Sequence, residues 1–260
     1  MRSLSGRLAL VTGSARGLGK KTALALAELG CDVAVNYVRS ASEAESLVKR
    51  IESLGVRAAA FPADVSRPDQ LRGMMEQVER TFGTGVDILV NNAGPFVRER
   101  KLYTEYAWED IDALVRGNLL GAMELDWLVL SGMQERRWGR IIHFGFAHAS
   151  EARGWPHRAA YAAAKVALVS LTKTLAAEMA AFGITVNMVC PGDVRGDHKE
   201  QNIDEVLHLR DDETPRGRPG SGEDVARVVA FLCDPASDFV TGNIINVNGG
   251  MDPIRSLPLR

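Results

Sequence analysis

Tyr161 and Lys165 stand four positions apart in the run Tyr161-Ala162-Ala163-Ala164-Lys165. On a helix that spacing puts both side chains on one face. A phenol can give or take a proton, and an ammonium held near it favours the phenolate. Exchange then falls nearer neutral pH than the unperturbed value of about 10. Far upstream, Thr12-Gly13-Ser14-Ala15-Arg16-Gly17-Leu18-Gly19 closes an apolar run and opens a helical pattern. Glycines let the backbone approach a ligand closely, and the free N–H groups of a helix start carry partial positive charge. Phosphates sit well at such a turn. A lone glycine-rich turn is no more than a tight connection, but here a strand precedes it and a helix follows, the context a dinucleotide seat requires.

The elements that must position these groups alternate along the chain. Leu8 to Val11, Val33 to Val35, Arg57 to Phe61, Ile88 to Val90, Ile141-Ile142 with Phe144, Thr185 to Val189 and Ile244-Ile245 with Val247 read as strands. Near-continuous apolar strands suit a parallel sheet buried on both faces. Between them, Leu71, Met75, Val78 and Phe82 repeat at helical spacing, as do Leu168, Thr172 and Leu175. Pro68 suits a first helical turn, with Ser66 as a candidate cap. The pattern predicts an α/β fold: a single Rossmann-type, doubly wound, seven-stranded parallel sheet flanked by helices. No composition break divides residues 1–260. The least compact stretch, within a flexible substrate loop expected over about 193–218 and its flank, is polar from His198 to Gly222.

The bulk numbers exclude several classes. A formal net charge of −2, with 46% hydrophobic and 25% charged residues, gives no reason to expect broad nucleic-acid or membrane attraction. Cys31, Cys190 and Cys233 are odd in number and widely spaced, which fits reduced thiols in the cytoplasm. No stretch reads as a signal peptide or a membrane span. His143, His148 and His157 lack a metal-site spacing, so no metal is expected.

The end of the second strand bears on the choice of dinucleotide. An NAD site places an acidic side chain there, for the ribose hydroxyl. This chain has Asn36-Tyr37-Val38-Arg39-Ser40. Arg16 and Arg39 together can clamp a 2′-phosphate, which favours NADP(H); the alternative is that both are solvated surface charges.

These residues resemble the short-chain dehydrogenase/reductase family from Arg7 to about Met251, most of all the bacterial 3-oxoacyl-acyl-carrier-protein reductases. The shared pattern runs through Thr12 to Gly19, Asp64-Val65, Asn91-Asn92-Ala93-Gly94, Asn118, the Tyr161 and Lys165 pair, Pro191-Gly192 and Asn248-Gly249-Gly250. The resemblance implies an NADP-dependent homotetramer that reduces a carbonyl or oxidises an alcohol. Tyr161 is then the proton donor, Lys165 binds the ribose and lowers the phenol's pKa, and Asn118 holds a water of the proton relay. Gly13, Ser14, Arg16, Gly17, Leu18, Gly19, Arg39 and Ser40 form the dinucleotide seat. Asp64 and Val65 lie by the adenine, Asn91, Ala93 and Gly94 by the adenosine ribose, and Pro191, Gly192 and Val194 by the nicotinamide.

The pattern breaks after the fifth strand, where relatives carry a serine that orients the substrate carbonyl. Counting from Ile141-Ile142, that place is Phe146, which neither donates nor accepts. Counting back from Tyr161 lands on His148, with Ser150 two residues on. The loop is longer than usual. Three accounts compete: His148 or Ser150 supplies the donor, the substrate needs none, or turnover is weak while the dinucleotide still binds. A second departure places Gly196 where relatives often have a threonine.

Pro95 to Tyr103, Phe146 to His157 and Asp193 to Arg218 should border the substrate. Phe96, Phe146 and Trp155 make that border partly aromatic, and Arg98, Arg100, Lys101, Arg153 and Arg158 are placed to meet an anion or to form a solvated face. Arg136 and Arg137 resemble a carrier-protein site, but the segment Glu178 to Gly183 has no matching basic residue, which makes a carrier partner doubtful. The competing readings are a pteridine-type reductase, suggested by Asn36 to Ser40, and a dinucleotide-binding sensor or scaffold without turnover.

Overall fold

The computed structural model describes residues 3–97, 99–252 and 254. Its strands are β1 (Leu8–Val11), β2 (Asp32–Tyr37), β3 (Ala58–Pro62), β4 (Ile88–Asn91), β5 (Gly139–Phe144), β6 (Ile184–Pro191) and β7 (Ile244–Val247). Between them lie helices α1 (Gly17–Glu28), α2 (Ala41–Glu52), α3 (Pro68–Phe82), α4 (Trp108–Val115), α5 (Gly121–Arg136), α6 (Ala159–Met179), α7 (Ile203–Val206) and α8 (Gly222–Cys233). All strands are parallel, in the order β3-β2-β1-β4-β5-β6-β7. The fold is the doubly wound sheet that the alternating pattern predicts.

Side-chain alternation along the strands divides the interior into two layers. Ala9, Val11, Val33 and Val35 face the layer that holds α1, α2 and α8. Leu8, Leu10, Ala34 and Leu89 face the layer of α3, α5 and the later part of α6. The central strands are largely apolar on both faces because both faces are covered. Val11 is level with Val35 and with Val90, so Thr12, Asn36 and Asn91 emerge together at the carboxyl edge. That edge, where the winding reverses between β1 and β4, is where a doubly wound sheet opens a crevice.

Two local expectations need correction. Arg67, not Ser66, precedes the first turn of α3. The Ser66 hydroxyl and N–H instead donate to Asp64 Oδ1, at 2.7 and 2.9 Å, closing a turn on its own neighbour. The long helix that the family resemblance implies over roughly Tyr106 to Met133 is broken into α4 and α5 by a π-helical turn at Arg116–Leu120. Such wide turns recur at functional sites because they push one residue out of helical register. Here that turn carries Asn118. No helix among the described residues is long and apolar enough to cross a membrane.

Candidate active site

The glycine turn is pinned from three sides. Thr12 Oγ1 donates to Val90 O (3.2 Å) and accepts the N–H groups of Asn92 (3.0 Å) and Ala93 (2.9 Å), stitching the ends of β1 and β4 together. The Asn36 carboxamide accepts the Gly13 N–H (3.0 Å) and donates to Ala63 O (3.0 Å). Its signal in the sequence is a polar residue late in an apolar strand. A Cβ on Gly19 would lie 2.6 Å from Gly13 O, so only glycine lets α1 start this close to the turn. Ser14 is fully buried, with its hydroxyl donating to Val11 O (2.7 Å) and accepting the Asn36 N–H (3.2 Å). Its side chain therefore holds the turn.

The start of α1 already holds an anion. Gly17 N–H donates to Glu200 Oε1 (2.8 Å), and Glu200 Oε2 pairs with Lys20 Nζ at 2.5 Å. Burial would raise the Glu200 carboxyl, but the Gly17 N–H and Lys20 outweigh it and hold the group below its usual value. Helix starts favour such oxyanions, phosphate oxygens among them. No sequence motif marked Glu200. Arg16 and Arg39 are exposed, with no ion pair among the described residues, and Ser40 is half-buried before α2.

Asn91 and Asn92 turn to different surroundings at the end of β4. Asn91 is buried and donates to Asp126 Oδ1 (2.9 Å), so its side chain belongs to the core. That carboxylate also meets His143 Nε2 at 2.9 Å, while His143 Nδ1 lies 2.8 Å from Thr172 Oγ1. Asn92 faces the cleft instead and donates to Thr12 O (2.8 Å). A Cβ on Gly94 would collide with Asn118 Oδ1, so the strand end and the π turn meet through glycine. Asn118 is buried, donates to Pro95 O (2.8 Å) and Leu114 O (3.0 Å), and leaves Oδ1 without a partner. The side chains of Asp64 and Val65 take up a local turn and the core, and neither borders the cleft.

The cleft itself is a cavity of about 1070 Å³. Tyr161 and Lys165 line it from one face of α6, with Leu18, Gly94, Asn118, Pro191, Gly192 and Val194. Lys165 Nζ donates to Phe144 O at 2.7 Å. Burial, opposed in part by the nearby Cys190 thiol, pulls the Lys165 ammonium down to about 8. Burial, then Cys190, pushes the Tyr161 phenol above its ordinary value. The expected depression of the phenol by its lysine is therefore corrected: the ammonium is spent on a backbone carbonyl, and burial dominates both groups.

Three rings enclose Tyr161. Centroids of Phe96, Phe146 and Trp155 lie 5.0, 6.1 and 6.1 Å from its own, and Phe146 meets Trp155 at 4.8 Å. Phe146 borders the cleft; His148 and Ser150 do not. His148 Nδ1 binds Glu151 (2.7 Å), its N–H donates to Asn246 Oδ1 (2.9 Å), and Nε2 meets Asn248 (3.3 Å). Ser150 is exposed. Both are thus corrected as candidate donors, because the loop turns them toward β7 and solvent. That loop holds three non-glycine residues at positive φ: His148 (68°), Ala152 (53°) and His157 (66°). Such strain concentrates where function over-determines a backbone. His157, at the end of the expected Phe146 to His157 border, lines the cleft with a buried Nδ1 that lacks a partner. Arg153 is held by Asp252 (2.9 and 3.1 Å), whereas Arg100 and Arg158 border the cleft. Arg98 lies outside the described residues.

A doubly wound sheet with a glycine turn at its switch point, and a tyrosine and lysine facing the same cleft, defines the nicotinamide-dinucleotide oxidoreductases. A family profile described as enoyl-(acyl carrier protein) reductase matches residues 13–252. The Bacillus subtilis protein YtkK, named as an oxidoreductase, is 42% identical over 249 residues, 95% of this chain and 97% of its own. The 3-oxoacyl-acyl-carrier-protein reductase FabG of Staphylococcus epidermidis is 39% identical over 243 residues, 94% of this chain and 98% of its own. A Bacillus thuringiensis structure described as a 3-oxoacyl-reductase superposes with a TM-score of 0.89 at 42% identity, covering 95% of this chain and 99% of that one. The chain belongs to the short-chain dehydrogenase/reductase family.

Proposed function

We propose that this oxidoreductase uses NADP(H) to interconvert a ketone and its alcohol, with Tyr161 as the proton-transferring acid. The observation that carries the reading is the facing of Tyr161 and Lys165 into one cleft with the start of α1 and the Pro191–Val194 segment. When bound, the nicotinamide supplies or accepts the hydride. The Tyr161 hydroxyl donates a proton to the carbonyl oxygen, and burial keeps it protonated until then. Lys165 supplies positive charge at the ribose, and Asn118 holds the water through which the proton is replaced. Gly13, Gly17, Leu18 and Gly19 cradle the phosphates by backbone, and Ala93 and Gly94 border the ribose. Arg16 and Arg39 clamp the 2′-phosphate, a reading supported by the lack of an acid at the end of β2 and by the inward turn of Asn36.

Binding titrations test the preference, with NADPH expected at least tenfold tighter than NADH, about 1.4 kcal/mol. Equal affinities refute it. Exposed Trp108 on α4 and Leu120, Met123 and Trp127 at and along α5 support a homotetramer, which light scattering checks as four chain masses. A carrier protein gains no support, because Arg136 is committed to Asp87 (3.1 Å) and Val86 O (2.7 Å).

A further inference from the structure

Proton transfer at Tyr161 needs neither the aromatic walls of the cleft nor its charge. Phe96 meets the Tyr161 ring edge-on at 5.0 Å, Trp155 does so at 6.1 Å, and Phe146 backs both Trp155 and Tyr161. Ring faces and edges reward a flat π-system with offset and T-shaped contacts that a saturated chain cannot make. Phe146 can neither donate to nor accept from a substrate carbonyl, so its wall of the cleft grips by shape and stacking.

The charge points the same way. Among the described residues, Arg100, Arg158, Lys165, Arg195 and Lys199 line the cleft against Asp193 and Glu213. Both acids are engaged by Arg195. The Arg158 guanidinium, which donates to Glu99 O (2.6 Å) and His157 O (2.8 Å), lies 5.1 Å over the Phe96 ring, and that ring meets Tyr161 edge-on. A cation and the reacting phenol thus flank one aromatic ring. A cleft with an excess of one sign of charge concentrates ligands of the other.

We propose that the substrate is an aryl-conjugated ketone, or its alcohol, that also bears a carboxylate. Phe96 and Trp155 hold its ring, and Arg158 with Arg100 reads the carboxylate. This rests on the oxidoreductase reading above. Four stable probes separate the two features: 4-acetylbenzoate, its methyl ester, 5-oxohexanoate and its methyl ester, each followed by NADPH absorbance. The expected order puts 4-acetylbenzoate first in kcat/KM, about fivefold over its ester for the charge and about fivefold over 5-oxohexanoate for the ring. Arg158→Gln should shrink the acid-to-ester ratio toward one, and Phe96→Leu the aryl-to-alkyl ratio. An ester that matches its acid, or an alkyl ketone that matches the aryl one, overturns the proposal in the wild-type protein alone. If none of the four turns over, the reductase reading fails for these ketones, and binding followed by tryptophan fluorescence then judges the present one. Tightest binding of 4-acetylbenzoate supports it, and equal or absent binding refutes it.

Discussion

Replacing Phe146 by serine sets packing directly against chemistry. The ring is 5% exposed and sits in a cluster with Ala149, Leu168, Met188 and Cys190. Deleting a buried phenylalanine ring costs about 3–5 kcal/mol, because the lost contacts and the cavity add. For a chain of this size each kcal/mol lowers Tm by roughly 2–4 °C, so a fall of about 6–20 °C is expected. In return, a hydroxyl beside Tyr161 can offer the carbonyl a hydrogen bond worth about 0.5–1.5 kcal/mol, a gain of roughly 2–12-fold. Phe146→Ser should therefore melt earlier yet reduce a short aliphatic 3-oxoacyl thioester a few times faster. Circular dichroism melts and NADPH absorbance read the two effects separately. A Tm within about 2 °C of wild type would mean that the ring is not a core element. An unchanged or lower rate would mean that the missing serine is not what limits such substrates.

Glu200→Gln removes the carboxylate that competes with phosphate for Gly17 N–H and Lys20, and should tighten NADPH binding by about three- to tenfold. Unchanged or weaker binding refutes the competition. Burial sets Lys165 at about 8 in the folded protein, below its ordinary 10.5. Between those values the folded chain binds fewer protons than the unfolded one, so this group's contribution to stability rises with pH there. Its charge at the ribose is lost over the same climb, so NADPH affinity should fall as pH passes about 8. Lys165→Met should flatten that dependence, and an identical slope in the variant would remove Lys165 as its source.

The sheet was legible because each strand announces itself locally, as an apolar run bounded by turn residues. The glycine turn and the Tyr161–Lys165 pair were legible because their spacing is itself the geometry. What stayed hidden depends on contacts distant in sequence. Ser14 and Asn91 sit within readable motifs, yet their side chains turn inward toward Val11 and Asp126. His148 was a reasonable stand-in for the serine until Asn246 and Asn248, about a hundred residues on, fixed it elsewhere. Glu200 meets Gly17 across 183 positions, a separation no local pattern encodes. The π turn at Asn118 interrupts the implied long helix where Gly94 and Pro95, over twenty residues upstream, pack against it.

We propose Tyr161 as the acid of an NADP(H)-dependent carbonyl reduction. Single-turnover oxidation of NADPH by Tyr161→Phe, with a ketone that the wild type reduces, tests it most directly when read beside the variant's NADPH affinity. The account predicts a rate lowered by a factor of about 10² or more, with NADPH bound within about threefold of wild type. Near-wild-type turnover in Tyr161→Phe would contradict it.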